Sequence, residues 1–242
     1  MRRLPLPESV PPGIEVWLLP LDLNMPLSKR DLALLNRDER SHALRFRRHE
    51  DRVRSVMARA ALRQILSSRT GVLPDKLRFF VNDYGKPSVV GNWGLEFNIS
   101  HSGCFALIAL STSGQVGVDI ECRDRDLDIE ELSMHVFSPL ERRSGLQTTE
   151  AFFDRWVAKE SVLKALGLGI SQHLQVLSIL PRDNAGYEIV HDQPEWADVS
   201  AWPIKAPDNY AAALAWKSRQ DGKCARSSPV ALQTVGSRLE AS

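Results

Sequence analysis

The stretch GVDIE, Gly117 to Glu121, closes an apolar run that begins FALIAL at Phe105. Strand side chains alternate between faces, so Asp119 and Glu121 point the same way while Val118 and Ile120 face a core. Two carboxylates held that close repel, and one pKa must rise unless a cation sits between them. A third acid comes from FFDRWVAKESVLKALG, Phe152 to Gly167, where Trp156, Glu160 and Lys164 are spaced by four and share one helical stripe. If that helix packs on the strand, Glu160 joins Asp119 and Glu121 as an all-oxygen ligand set. Such a set suits a hard cation such as Mg²⁺, which keeps positions open for water or substrate phosphate. Lys164, one turn further on, would meet a phosphate held there. The chemistry within reach is the handling of a phosphorylated substrate on a carboxylate-bound ion.

Two further motifs supply donors. FNISHSG, Phe97 to Gly103, ends an alternating strand in Ser100, His101, Ser102 and Gly103, groups of the sort that wrap an anion. Ser100 and His101 are not a nucleophile and its base, because adjacent strand residues face opposite ways. In YGKP, Gly85 permits a tight turn and Pro87 stiffens it, presenting Lys86 as a fixed positive charge. Each feature alone is commonplace. A D-x-E at a strand end is ordinarily a solvated edge, and Glu160 with Lys164 an ordinary surface pair. Only their joint occurrence carries weight.

Elements must hold these side chains in place. IEVWLLPL, Ile14 to Leu21, reads as a strand, and Ser28 followed by Asp31 opens a first helix. From Arg47 to Leu66 the apolar residues Val53, Val56, Met57, Ala61 and Ile65 have helical spacing, with Gly71 and Pro74 ending the helix. Strands are predicted at Leu77 to Val81 and Leu95 to Ile99, separated by the turn NDYGKP. A hairpin of Phe105 to Leu110 with Val116 to Ile120 follows, turned by STSG. Beyond Arg123 the pattern predicts helices at Ile129 to Val136, Ser138 to Gly145 and Phe152 to Gly167. Strands are then expected at Leu174 to Ile179, Tyr187 to Val190 and Tyr210 to Trp216. Both halves thus run helix, long helix, then strands, which suggests two similar α+β subdomains. From Lys217 onward the chain is polar and aperiodic, as in a disordered tail.

The 242 residues suffice for one large domain or two small ones with a hydrophobic core, and 43% apolar with 25% charged residues is ordinary for a globular protein. A formal net charge of +1 gives no global field toward nucleic acid or membrane. Locally the balance differs: nine arginines stand against four acids between Arg37 and Arg63. Cys104, Cys122 and Cys224 are an odd number without metal-ligand spacing, which fits a reducing cytosol. Prolines break the N-terminus before any signal-peptide core develops, and no apolar run approaches bilayer length. The expected location is cytoplasmic.

GKP, FNISHSG, GVDIE and FDRWVAKESVLKALG, in that order and at these separations, resemble the 4′-phosphopantetheinyl transferases of the two-subdomain, Sfp-like kind. The resemblance runs from about Arg37 to Ile170 and more weakly to Trp216, and the length is that of this group rather than of the short, trimeric holo-carrier-protein synthases. It implies an α+β fold of two similar α/β subdomains related by pseudo-twofold symmetry. Residues 1–122 would contact coenzyme A, residues 123–217 would carry the metal-ligand helix and carrier-protein contacts, and 218–242 would be the tail.

The resemblance also implies an activity: transfer of the phosphopantetheine arm of coenzyme A to a carrier-protein serine, with release of 3′,5′-ADP. Asp119, Glu121 and Glu160 match ligands of Mg²⁺, with Mn²⁺ as the other candidate ion. Glu160 and Lys164 match the catalytic positions, Lys164 lying near the pyrophosphate. Lys86, Pro87, Ser100, His101 and Asp119 match coenzyme A contacts, with His101 near the 3′-phosphate. Two lysines of the best-known members are replaced by Glu39 and His42, and Arg45 and Arg54 are the assigned substitutes. The partners implied are coenzyme A and an apo acyl carrier protein or peptidyl carrier domain, without nucleic acid or membrane, and the chain would act as a monomer. Carrier contacts would fall near the Trp156 helix and the loop after it, with Leu166, Leu168 and Ile170 as apolar candidates. Two other readings use the same residues. One is a Mg²⁺-dependent nuclease or phosphatase, against which the arginine face is short and lacks interleaved aromatics. The other is a coenzyme A-binding regulator without activity, against which all three acids and Lys164 are present.

Overall fold

The computed structural model describes residues 1–124, 127–144, 148–169, 173–182 and 186–219. The chain opens with β1 (Arg2–Arg3) and β2 (Ile14–Pro20), paired antiparallel. α1 (Lys29–Leu34) starts where expected, with the Ser28 hydroxyl accepting from the Arg30 N–H. α2 (Arg37–Leu44) was not visible in the apolar pattern, because Ala43 is its only buried residue. Its start is fixed by a capping box. The Asn36 side chain accepts from the Glu39 N–H at 2.9 Å, and the Glu39 carboxylate accepts from the Asn36 N–H at 3.0 Å. Asn36→Ala is expected to cost about 1 kcal/mol, read as a lower urea midpoint at unchanged slope. α3 (His49–Thr70) buries Val53, Val56, Leu62 and Ile65, and ends on Gly71 in the left-handed conformation at φ 73°.

After α3 come the short pair β3 (Phe79–Val81) and β4 (Pro87–Val89), then β5 (Glu96–Ser102), β6 (Phe105–Ser111) and β7 (Gly114–Cys122). The first sheet has the order β1-β2-β6-β5. Its hairpin is β5–β6, turned at Gly103 and Cys104, with Gly103 at φ 52°. The expected hairpin of β6 with β7 does not form. β7 leaves the first sheet and pairs along its whole length with β11 (Tyr210–Ser218), from Tyr210↔Cys122 to Ser218↔Gly114. Alternation along a strand fixes its faces but says nothing of which strand lies beside it. β5 meets β7 through side chains instead. The Asn98 carbonyl accepts from the Val118 N–H at 3.0 Å, and the Ser102 hydroxyl accepts from the Cys122 N–H at 3.1 Å.

The second half holds α4 (Ile129–Val136), α5 (Pro139–Arg143), α6 (Thr149–Leu166), β8 (Ser178–Arg182), β9 (Gly186–Val190) and β10 (Val199–Pro203). Its sheet has the order β10-β11-β7, with β8–β9 a separate pair. The expected division at 122 and 123 would fall after β7, whose ladder partner β11 lies on the far side of it. Three apolar clusters stack the layers. α3 packs on the first sheet through Ala61, Leu62, Ile65, Ala106 and Ile108. The two sheets share a core of Val16, Leu18, Leu107, Val118, Ile120 and Leu214. α6 covers the second sheet through Val157, Val162, Ala211, Ala213 and Ala215. The result is a mixed α/β molecule with two sheet-containing halves, in keeping with the α+β expectation. Among the described residues no helix is long and apolar enough to cross a membrane. Of the expected tail, Ser218 ends β11, and 220–242 lie outside the described residues.

Candidate functional site

α6 is a helix by composition and by its ends. The Thr148 hydroxyl caps its start by accepting from the Ala151 N–H, and Gly167 closes it at φ 72°. It is buried over most of its surface, charged residues included: Lys159 is fully enclosed and pairs with Glu141. The stripe that serves the site is Trp156, Glu160 and Lys164. The Trp156 indole N–H donates to Glu160 Oε1 at 2.7 Å, fixing the carboxylate from one turn away. Lys164 Nζ then lies 3.3 Å from Glu160 Oε2 and 2.5 Å from Asp119 Oδ1 on β7. Ser100 on β5 donates to the same Asp119 oxygen at 2.6 Å and accepts from Lys164 at 3.3 Å. Ser102, two residues on, donates to Glu121 Oε2 at 2.7 Å. The alternation of β5 thus delivers Ser100 and Ser102 to the same side, as the alternation of β7 delivers Asp119 and Glu121.

How α6 comes this close is explained by the first residue of GVDIE. A Cβ at Gly117 would stand 2.0 Å from the Ser161 carbonyl oxygen and 2.4 Å from the Ala165 nitrogen. The helix backbone therefore lies directly on β7 at that point, two residues before Asp119.

Asp119 is 1% exposed and Glu160 9%. Burial raises both carboxyl pKa values above the ordinary range; Glu121 adds to the effect at Asp119 and Asp119 adds to it at Glu160, while Lys164 opposes it at both. At Lys164 burial acts to lower the pKa, but Asp119 and Glu160 outweigh it and hold the ammonium firmly charged. The cation demanded by the paired carboxylates is, in the folded chain itself, this lysine. Among the described residues no three His, Cys, Asp or Glu side chains are already gathered as a metal shell. The donors nevertheless fit a hard ion. Asp119 Oδ2 is buried without a hydrogen-bond partner, and an all-carboxylate set favours Mg²⁺ or Mn²⁺.

A cavity of about 410 Å³ opens over these groups. Its floor is Asp119 and Glu121 of β7 with Glu160 and Lys164 of α6, and one wall is Ile99, Ser100 and His101 of β5. The opposite wall is His42 and Phe46 with Ser55, Ala58 and Arg59 of α3. All three acids, Lys164, Ser100 and His101 are therefore brought to one place. Four other expected residues are not. Arg45 is exposed and does not line the cavity. Arg54 donates to the Gly103 carbonyl at 2.8 Å and pairs with Asp51 at 2.7 Å. Its charge still reaches His101, whose pKa is lowered by desolvation first and by Arg54 and Lys164 after it. Lys86 and Pro87 lie off the cavity, and the Lys86 ammonium is occupied by the carbonyls of Val116 and Ala165.

The basic group that does reach the wall is Arg59, held by Glu39 at 3.5 Å. It belongs to the arginine-rich stretch read from the sequence, Arg37 to Arg63. The positions of His42 and Phe46 depend on α2, which the apolar pattern did not reveal. Of the apolar carrier-contact candidates, Leu166 and Leu168 pack against the core under α6, and Ile170 lies outside the described residues.

Residues 115–215 match the family described as the 4′-phosphopantetheinyl transferase superfamily, and residues 28–113 match that described as 4′-phosphopantetheinyl transferase, N-terminal. A relative from Synechocystis sp. named for the same activity is 34% identical over 225 residues, covering 85% of this chain and 87% of its own. The 4′-phosphopantetheinyl transferase HetI of Nostoc sp. is 34% identical over 213 residues, covering 84% and 86%. The transferase Sfp of Bacillus subtilis is 29% identical over 166 residues, covering 65% and 73%.

Proposed function

Since the chain belongs to the 4′-phosphopantetheinyl transferase superfamily and is an enzyme of that kind, we propose that it moves the arm from coenzyme A to a serine of an apo acyl carrier protein or peptidyl carrier domain. The bond that forms joins the serine oxygen to the β-phosphorus of coenzyme A. The bond that breaks is the pyrophosphate P–O bond, whose electrons leave with adenosine 3′,5′-bisphosphate. The observation that carries this reading is the meeting of Asp119, Glu160 and Lys164 with Ser100 beneath one cavity, two of the acids from different elements sharing one ammonium.

Asp119, Glu121 and Glu160 would hold the divalent ion, which when bound supplies positive charge against the pyrophosphate oxygens. Lys164 places a permanent cation where charge develops on the leaving phosphate, and it can hand that oxygen a hydrogen bond or a proton. Glu160 is the acceptor for the serine proton, directly or through a water. A carboxylate that holds a divalent ion is a weak base, so the route through a water is the one this placement favours. Ser100 orients Asp119, and Trp156 orients Glu160. Arg59, His42 and His101 line the same cavity and suit the nucleotide phosphates. In this reading the first half binds coenzyme A and the second presents the carrier.

Incubation with coenzyme A, Mg²⁺ and several apo-carriers should add one phosphopantetheine arm to at least one of them, read by intact-protein mass spectrometry. A chelator should abolish the mass gain, and excess Mg²⁺ or Mn²⁺ should restore it. No added arm on any carrier would overturn the reading.

A further inference from the structure

The turn between β3 and β4 reaches out of the first half and fastens the end of α6. Asn82 Nδ2 donates to the Gly167 carbonyl at 2.9 Å. Lys86 Nζ donates to the Ala165 carbonyl at 3.0 Å and to the Val116 carbonyl of β7 at 3.2 Å. The last carbonyls of a helix have no partner within the helix, and a cation there is favoured by the helix dipole. The turn is stiff enough to deliver both groups. Asn82 Oδ1 accepts from the N–H groups of Tyr84 at 3.0 Å and Lys86 at 2.8 Å, and Gly85 takes a φ of 86°. Burial pulls the Lys86 pKa down to about 8, against Glu96, so the ammonium is still charged at neutral pH.

One ammonium therefore ties α6 to β7, the two elements that must bring Lys164 and Glu160 to Asp119. Ala165 is the residue after Lys164, and Val116 stands three before Asp119. We propose that Asn82 and Lys86 are positioning residues: they set the register of α6 on β7 and do not touch coenzyme A. The kinetic part of this inference rests on the transferase reading, and the structural part does not.

Lys86→Met and Asn82→Ala separate the possibilities through three readouts: coenzyme A affinity by calorimetry, steady-state kinetics with a carrier, and backbone hydrogen exchange. Lys86→Met should lower kcat about tenfold and Asn82→Ala about threefold, since across the junction the first loses two charge-assisted hydrogen bonds and the second one neutral bond. Coenzyme A Kd should stay within about twofold, because neither side chain lines the cavity. Exchange of the amides of residues 163–168 should rise about tenfold, with the first turns of α6 unchanged. A Kd raised tenfold at preserved kcat would make Lys86 a ligand contact and overturn the inference, as would unaltered exchange at the end of α6. If the unmodified protein transfers nothing to any carrier, the functional reading fails alone, and affinity and exchange still decide the clamp. Should Lys86→Met not fold, Asn82→Ala tests the same junction by losing its bond to the Gly167 carbonyl together with the two that stiffen the turn.

Discussion

Glu160→Gln and Lys164→Ala are each expected to lower turnover by roughly two to three orders of magnitude, while coenzyme A Kd changes by less than about fivefold. The asymmetry follows from where these groups sit. Glu160→Gln keeps an oxygen for the Trp156 indole, so the stripe on α6 stays ordered. What it loses is the negative charge, and with it the proton acceptor and one anionic ligand for the divalent ion, both of which count most while the serine attacks. Lys164→Ala removes the ammonium shared by Asp119 and Glu160, both buried. The ground-state complex retains Arg59, His42 and His101 around the nucleotide end. Charge on the leaving phosphate grows only as the P–O bond breaks, so the missing ammonium is felt mainly in the transition state. Initial rates with a saturating carrier, set beside calorimetric titration with coenzyme A, measure both halves of the expectation. Parallel losses in affinity and turnover would assign Glu160 and Lys164 to binding and remove them from catalysis.

The parts of this site that sequence made legible are those governed by local periodicity. A period of two places Asp119 and Glu121 on one face, and the structure turns both toward serines of β5. A spacing of four puts Trp156, Glu160 and Lys164 on one stripe, and each meets the next. What stayed hidden depends on partners distant in the chain. Alternation in β7 is the same whether its neighbour is β6 or β11, so the hairpin expectation had no local signal to correct it. Lys86 in YGKP looks like a presented charge until the end of α6, some eighty residues later, supplies its acceptors. Of the arginines between Arg37 and Arg63, the resemblance implies Arg45 and Arg54, whereas the one that lines the cavity is Arg59, because the side a helical residue faces is set by its rotation about the axis. α2 is set by the reciprocal cap of Asn36 and Glu39, with almost no buried surface to announce it.

Gly117 opens GVDIE, and its substitution is expected to have the second large effect. In Gly117→Ala the new methyl would stand 2.0 Å from the Ser161 oxygen, 2.4 Å from the Ala165 nitrogen and 3.0 Å from the Ala165 Cα. All three are backbone atoms of α6, so no side chain can rotate out of the way. The helix must lift by at least about 1 Å to relieve the clash, and overpacking that moves backbone costs about 3 kcal/mol, at the upper end of the usual range. The contacts fall at Ser161 and Ala165, the residues that follow Glu160 and Lys164. A displacement of that size in a reacting constellation costs about a hundredfold in rate. Gly117→Ala should therefore melt earlier and turn over about a hundredfold more slowly, even at temperatures where circular dichroism shows it folded. Coenzyme A affinity should fall less than turnover, since the α3 and β5 walls are untouched by the shift. The discriminating comparison is turnover per folded molecule, with the folded fraction taken from urea titration. If that value matched the unmodified enzyme, α6 would be free to yield at Gly117, and the spacing of Lys164 from Asp119 would be set by something other than this contact.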